Sequence, residues 1–134
     1  MQQMDSDFDR ALARFAPVTA PAITDAELRS RIAGLAAAMT AAGIGGVWLD
    51  ASSSLTYYTG LSLGLSERIH GALIHADGRI TYLSPTFEQP KLETLLRLPG
   101  PIAVWEEDED PFALLASLVP QGRIALDPAM SFGF

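Results

Sequence analysis

Residues 24–50, TDAELRSRIAGLAAAMTAAGIGGVWLD, decide the fold because they predict a helix that leads directly into a buried strand. Thr24 and Glu27 have the T-x-x-E spacing of a helix capping box. One apolar stripe follows at helical spacing: Leu28, Ile32, Leu35 and Met39. Gly43 ends the predicted helix, since glycine readily adopts the left-handed conformation of a helix terminus. Gly46–Asp50 is a short apolar run typical of a buried strand.

The rest of the chain alternates extended and helical segments. Ser52–Thr59 predicts a polar turn or a one-turn helix. Four short apolar runs predict strands: His70–Ala76, Arg79–Ser84, Ile102–Trp105 and Arg123–Asp127. Two further segments predict helices with a proline in the first turn: Thr86–Leu98, with Leu92, Leu95 and Leu96 inward, and Asp110–Val119. Residues 1–22 predict an N-terminal helix at Asp7–Phe15 and a linker, ahead of a domain at residues 23–134.

Asp77-Gly78 is a strong signal for a two-residue hairpin turn between two of these strands. With that turn, Leu73 pairs with Tyr82 and Ile74 pairs with Thr81. Both faces of the ribbon are then partly apolar, which predicts helices on both sides of the sheet. The sequence therefore predicts an α/β domain with a mixed β-sheet and helices on both of its faces.

Composition narrows the function classes. The chain has 134 residues, a net charge of -7 and no cysteine, so it lacks the sulfur for a disulfide, a zinc-cysteine site or thiol catalysis. The acidic balance argues against nucleic acid and against an anionic membrane surface, which both bind clustered Lys and Arg. The N-terminal segment has no apolar run typical of a secretory leader. We therefore expect a soluble, cytoplasmic domain with no nucleic-acid or membrane partner.

Gly60–Gly64, read G-L-S-L-G, matches the G-x-S-x-G pattern of the serine nucleophile in α/β-hydrolases. That site requires an acid and then a histidine later in the chain. The two histidines, His70 and His75, lie within thirteen residues of Ser62, on the next predicted strand. We therefore favour a glycine-rich loop here and keep the nucleophile as the weakest of the alternatives.

The residues predict no metal site. His70 and His75 are five residues apart on one predicted strand, so they project from opposite faces and cannot chelate one ion together. Glu106–Asp110 contains five consecutive acids but lacks the alternating spacing of a calcium loop. Acids just before a helix stabilise its positive end, and we expect that role for this run.

Eight segments, in order, resemble the N-terminal domain shared by creatinase, prolidase and the Xaa-Pro peptidases. The segments span Arg31–Asp127: RIAGLAAAMTAAG (31–43), GVWLD (46–50), LTYYTG (55–60), SER (66–68), DG (77–78), SPTFE (84–88), WEEDEDP (105–111) and RIALD (123–127). The sequence departs from the family pattern at Ser54, where the family often has Asn, and at Tyr58, where it usually has Leu. Because Ser54 stands at that position, a turn-capping role of the family Asn does not carry over to this chain.

The resemblance implies a mixed α/β domain with ribonuclease H-like layering, ahead of a larger pita-bread catalytic domain that is absent from this chain. In the family that catalytic domain holds two divalent metal ions (Mn, Co or Zn), and prolidase-like members cut before proline. No metal ligand and no catalytic residue carries over to this chain. The implied partners are the protein's own C-terminal catalytic domain, a second copy in a homodimer, and a proline-containing peptide substrate.

The resemblance also implies that this domain lines the substrate pocket of the partner subunit in several family members. Matching segments make Tyr57, Arg68 and His70 the candidates for that wall. Arg68 is expected to face the substrate carboxylate or to order its loop, whereas an arginine in this setting can also simply pair with Glu67 or Asp50.

Three functions stay open at this stage. The favoured one is the non-catalytic N-terminal domain of a prolidase or Xaa-Pro aminopeptidase-type metallopeptidase, inactive on its own. The second is a stand-alone α/β module that binds a ligand or a protein, since a fold does not determine a function. The third is the serine hydrolase that Ser62 would require.

Overall fold

The computed structural model describes residues 22–64, 66, 68–120 and 122–127. The predicted helix at Asp7–Phe15 lies outside these residues. Within them, strands and helices alternate as predicted, with one added 3₁₀ turn at Thr86–Glu88. The elements are α1 (Asp25–Ala42), β1 (Ile44–Asp50), α2 (Ser53–Thr59), β2 (Gly71–His75), β3 (Ile80–Pro85), α3 (Gln89–Leu95), β4 (Ile102–Trp105), α4 (Pro111–Ser117) and β5 (Arg123–Leu126).

Helix α1 begins and ends where the sequence predicts. The Thr24 hydroxyl accepts a hydrogen bond from the Glu27 backbone N–H at 3.1 Å, which satisfies a free donor of the first turn. Gly43 adopts the left-handed conformation with φ of 69°. The buried face of the helix consists of Leu28, Ile32, Ala36 and Met39, with Leu35 partly buried beside it. Local signals therefore determine this element.

The strands form a mixed five-stranded sheet in the order β4-β3-β2-β1-β5. Strand β2 is antiparallel to both of its neighbours, and β5 and β4 are parallel to β1 and β3. Four strands therefore run the same way. We call the end where they finish the carboxyl end of the sheet, and the opposite end, where β2 turns into β3, the hairpin end.

Helices cover both faces of the sheet, which confirms the predicted architecture. On one face, side chains of α1, α2 and α3 pack on Leu49, Ile74 and Tyr82. On the other face, α4 packs through Leu115 on a cluster that contains Trp48. Trp48 and Leu49 lie in opposite cores because successive strand side chains point to opposite faces.

The hairpin register differs from the prediction by one residue. Leu73 pairs with Thr81 and Ile74 pairs with Ile80, not with Tyr82 and Thr81. The loop contains three residues, 76–78, and closes through a hydrogen bond of 2.9 Å from the His75 N–H to the Arg79 carbonyl. A three-residue loop places a left-handed residue last, and Gly78 has φ of 87° there.

The predicted helix at Thr86–Leu98 is shorter than expected. Its regular part, α3, ends at Leu95, and the chain is extended at the next residue. Leu92 is buried as predicted, but Leu95 is 40% exposed, and Leu98 fills the core in its place. The Tyr82 hydroxyl donates to the Leu98 carbonyl at 2.7 Å, which holds this return of the chain against the sheet.

Candidate functional site

Two aspartates finish adjacent parallel strands at the carboxyl end of the sheet. Asp50 is the last residue of β1, and Asp127 directly follows β5. The Ser52 hydroxyl donates to Asp127 Oδ2 at 2.6 Å and accepts from the Leu55 N–H, so it also caps α2. In open α/β sheets, ligands bind at this end of the strands. A ligand site is therefore expected at the carboxyl end of the sheet.

The Asp50 carboxyl is buried, but it is not fully hydrogen-bonded. Its exposed fraction is 6%, and Oδ1 has no hydrogen-bond partner within the described part of the chain. Burial raises the pKa of the Asp50 carboxyl above its ordinary value, and the nearby His70 imidazole opposes this rise. A buried acceptor without a partner is uncommon in folded proteins.

His70 lies immediately before β2 rather than on it. One of its ring nitrogens, Nε2, is 3.1 Å from the Gly64 carbonyl oxygen. His75 ends β2, and its Nε2 lies 2.8 Å from the Thr81 hydroxyl. The prediction placed both histidines on one strand, so it was wrong for His70, although it separated the two rings correctly.

Arg68 forms an ion pair with Glu107, which lies in the loop after β4. Its guanidinium carbon is 5.0 Å from the ring centroid of Phe87, a side chain that is 57% exposed. Pairing with Asp50, one of the predicted alternatives, is wrong; Glu67 lies outside the described residues. Strands β3 and β4 are parallel neighbours, so the segments that follow them bring Phe87 and Glu107 to the same edge.

Tyr57 is half exposed on α2 and packs against α1. The Arg31 guanidinium carbon lies 4.1 Å from its ring centroid, and Arg31 also donates to its carbonyl at 2.9 Å. The ring makes an edge-on contact with Tyr58. Across the residues that the structure describes, no hydrogen bond, ion pair or ring contact joins Tyr57 to Arg68 or His70. The structure thus brings Arg68 and His70 to one loop and leaves Tyr57 against α1.

Ser62 contacts a nearby residue, and the acidic run Glu106–Asp110 combines local contacts with the long-range ion pair of Glu107 and Arg68. The Ser62 hydroxyl lies 3.1 Å from the Thr56 hydroxyl, and no hydrogen bond links it to a histidine in the described ranges. Asp110 caps α4 by accepting from the Phe112 N–H, as expected for acids before a helix. The Glu109 carboxylate accepts from the Glu106 N–H. Among residues 22–127 as described, no three His, Asp or Glu side chains are grouped to hold a metal ion.

A cleft of about 260 Å³ opens at the carboxyl end, between the loop after α2 and helix α3. Six polar residues from several segments line it: Ser62, Ser66, His70, Ser84, Glu88 and Lys91. Three leucines form its apolar wall: Leu63, Leu92 and Leu95. The sequence had indicated only Ser62 and His70. Glu88 and Lys91 gave no signal, because charged residues three apart are ordinary on an exposed helix face.

The family model described as creatinase/prolidase N-terminal domain matches residues 31–134. No curated protein matches the sequence.

No helix within the described ranges is long and apolar enough to cross a membrane.

Solved structures of dipeptidases and prolidases share the fold. Dipeptidase PepE from Mycobacterium ulcerans superposes with a TM-score of 0.71 at 24% identity, over 81% of this chain and 31% of that chain. A prolidase from Thermococcus sibiricus has a TM-score of 0.64 at 23% identity, over 79% of this chain and 30% of that chain. The N-terminal domain of an Xaa-Pro dipeptidase from Lactobacillus brevis has a TM-score of 0.64 at 16% identity, over 76% of this chain and 80% of that chain. The chain therefore spans about a third of the length of the first two proteins.

Proposed function

Because the chain belongs to the creatinase/prolidase N-terminal domain family, we propose that it is the non-catalytic N-terminal domain of a longer peptidase of the prolidase or Xaa-Pro dipeptidase type. The observation that carries this proposal is the match of residues 31–134 to the family model. The likeness to a dipeptidase and a prolidase over only 31% and 30% of their chains supports it, because it leaves their remaining length for a catalytic domain.

The family implies two divalent metal ions, and the described residues do not fit them. No group of three His, Asp or Glu side chains in those residues could hold an ion. We therefore assign no metal ligand and no catalytic residue to this chain. In our proposal the two ions, Mn, Co or Zn, belong to the separate catalytic domain, and the cut before proline takes place there.

The carboxyl end of the sheet is the part that we propose to meet the substrate. Arg68 is nearly half exposed there, and its guanidinium is positioned by the Phe87 ring and by Glu107. A planar guanidinium binds a carboxylate through two parallel hydrogen bonds, so the C-terminal carboxylate of a peptide could replace Glu107 as its partner. His70 lies in the same loop region and adds a second polar group. In a homodimer, this end would face the catalytic domain of the partner.

Hydrolysis of an Xaa-Pro dipeptide tests the proposal. We expect the 134-residue chain to release no proline in the presence of Mn²⁺, whereas the longer gene product that begins with this domain should release it. A dipeptide without proline serves as the control substrate and should be cleaved more slowly. Size-exclusion chromatography of the longer product should give a dimer.

Two results would overturn the proposal. Proline release by the chain alone would place the active site inside this domain. A reading frame that closes directly after residue 134 would leave no catalytic domain, and would favour the stand-alone ligand-binding module instead. Labelling of Ser62 by a fluorophosphonate would favour the serine hydrolase.

A further inference from the structure

The cleft at the carboxyl end carries two opposite charges that have no partner among the described residues. Glu88 and Lys91 are one helical turn apart and both line the cleft. Within the residues described, neither side chain forms an ion pair or a hydrogen bond. By contrast, Glu107, Asp77 and Asp25 each pair with an arginine. From these charges we propose that the cleft binds a free α-amino acid with an apolar side chain, as a zwitterion.

The two charges match the two ends of such a ligand. An α-ammonium group would lie against the Glu88 carboxylate, and an α-carboxylate against the Lys91 ammonium. Hydrogen bonds to charged groups are stronger than those between neutral groups. A ligand with only one charge would leave either Glu88 or Lys91 without a partner, so the cleft should prefer a zwitterion to a singly charged analogue.

Ser84 adds an acceptor at the base of the cleft. Its side chain is 1% exposed, and its hydroxyl donates to the Pro85 carbonyl at 2.9 Å. A hydroxyl has one hydrogen to donate and two lone pairs that accept. With the hydrogen directed at Pro85, Ser84 can only accept from a ligand. An ammonium group, which has three donors and no acceptor, suits that position.

The size and the apolar wall define the rest of the ligand. The volume of about 260 Å³ lies just below the roughly 300 Å³ at which pockets for drug-sized ligands begin, so a smaller molecule is favoured. Leu63, Leu92 and Leu95 give that molecule an apolar surface, and Leu95 is exposed at the rim. An aliphatic side chain on the ligand would cover it. The site lies within one domain and needs no catalytic domain, so the inference goes beyond the proposed function.

Titration of the ¹⁵N-labelled chain with L-leucine, followed by NMR, tests the site. We expect saturable shifts at backbone amides of the cleft, in residues 62–64 and in the non-proline residues of 84–92. N-acetyl-L-leucine lacks the ammonium group and L-leucinamide lacks the carboxylate, and each should bind about tenfold more weakly than L-leucine. Because the measurement uses the chain alone, its result is independent of whether a peptidase domain follows.

Charge-neutralising variants complete the test. Glu88→Gln and Lys91→Gln should each weaken L-leucine binding about tenfold, whereas Lys91→Arg, which keeps the charge, should retain most of it. Glu93→Gln is the matched control, since Glu93 is exposed on the same helix and does not line the cleft. The proposal is overturned if L-leucine gives no saturable shift in the cleft. It is also overturned if the analogues bind as well as L-leucine, or if Glu93→Gln weakens binding as much as Glu88→Gln.

Discussion

Each end of the β1–β2 pair buries one titratable side chain. The two side chains differ in whether their polar atoms are hydrogen-bonded. At the hairpin end, His75 is 7% exposed and hydrogen-bonds the Thr81 hydroxyl. At the carboxyl end, Asp50 is 6% exposed, and its Oδ1 lacks a hydrogen-bond partner within the described residues. An unsatisfied buried polar group costs about 1–3 kcal/mol.

In our proposal, this difference distinguishes a structural end of the sheet from a functional one. Local rules of stability are broken mostly at functional sites, where another requirement prevails. At the hairpin end the buried group is hydrogen-bonded, since the His75 ring contacts the Thr81 hydroxyl. The carboxyl end leaves Asp50 Oδ1 without a partner among the described residues, and it also contains His70, Arg68 and the cleft. We therefore expect substitutions at the hairpin end to affect folding alone, and substitutions at the carboxyl end to affect binding as well.

The largest effect on stability should come from Gly71, which pairs with Asp50 at the carboxyl end. A methyl group on Gly71 would meet the Leu49 backbone carbonyl closer than real side chains approach, and a paired strand cannot move away easily. Gly71→Ala should lower the free energy of unfolding by about 3 kcal/mol, measured by urea denaturation. The control is Gly34→Ala on α1, where the methyl group meets open space, and it should stabilise by up to about 1 kcal/mol. Equal effects of the two would refute this packing.

The next effect should come from the hairpin end. Thr81→Val removes the hydroxyl that the buried His75 ring contacts, so an imidazole nitrogen is left without a partner. The free energy of unfolding should fall by about 1–2 kcal/mol. Thr94→Val, at an exposed position of α3, should change it by less than about 0.5 kcal/mol. A Thr81 variant as stable as the native chain would show that the hydrogen bond between His75 and Thr81 does not stabilise the fold.

Asp50→Asn should have a smaller effect, with the opposite sign. Burial raises the pKa of the Asp50 carboxyl, which means that the folded state disfavours its charge. At pH 7 the neutral amide should therefore stabilise the domain by about 1 kcal/mol or less. A clear loss of stability would indicate that Oδ1 has a partner after all. Asp77→Asn at the hairpin end is the control, and it should not stabilise, since hydrogen bonds from Arg79 lower the pKa of Asp77.

The two ends should also respond to pH with opposite signs. The raised pKa of Asp50 contributes stability below its ordinary value of 3.8, and this contribution is lost as the pH rises through the folded-state pKa. Burial lowers the pKa of His75, so its contribution is present above 6.5 and is lost as the pH falls through the folded-state pKa. Unfolding free energies measured across pH should lose the first slope in Asp50→Asn and the second in His75→Gln. Unchanged slopes in either variant would contradict the assignment.

Sequence and structure agree where the signals are local. Helix α1 was predictable because Thr24, an apolar stripe and Gly43 all act within it. The hairpin register was not, because Asp77-Gly78 is compatible with a two-residue or a three-residue loop, and only the position of the left-handed glycine decides between them. The sequence predicted Arg68 just before β2, but it placed His70 on the strand and not in the loop with Arg68.

The remaining parts of the site depend on contacts between distant segments. The partner of Arg68, Glu107, lies 39 residues away and is brought near by the parallel pairing of β3 and β4. The cleft combines residues from the loop after α2, the end of β3 and helix α3, so no single segment indicates it. Burial raises the pKa of Asp50, and the charge of Asp127, which follows β5, raises it further, so this effect also depends on a distant segment.

Two arginine variants, one at each end of the sheet, test most directly whether the carboxyl end alone faces the substrate. Arg68 and Arg79 are both exposed and each pairs with one acid, but Arg68 lies at the carboxyl end and Arg79 at the hairpin end. In the longer gene product, Arg68→Ala should raise KM for an Xaa-Pro dipeptide about tenfold, as expected for one lost charged hydrogen bond, with kcat little changed. Arg79→Ala should leave KM unchanged. An unchanged KM in Arg68→Ala, or an equal rise in both variants, would contradict a substrate-facing carboxyl end.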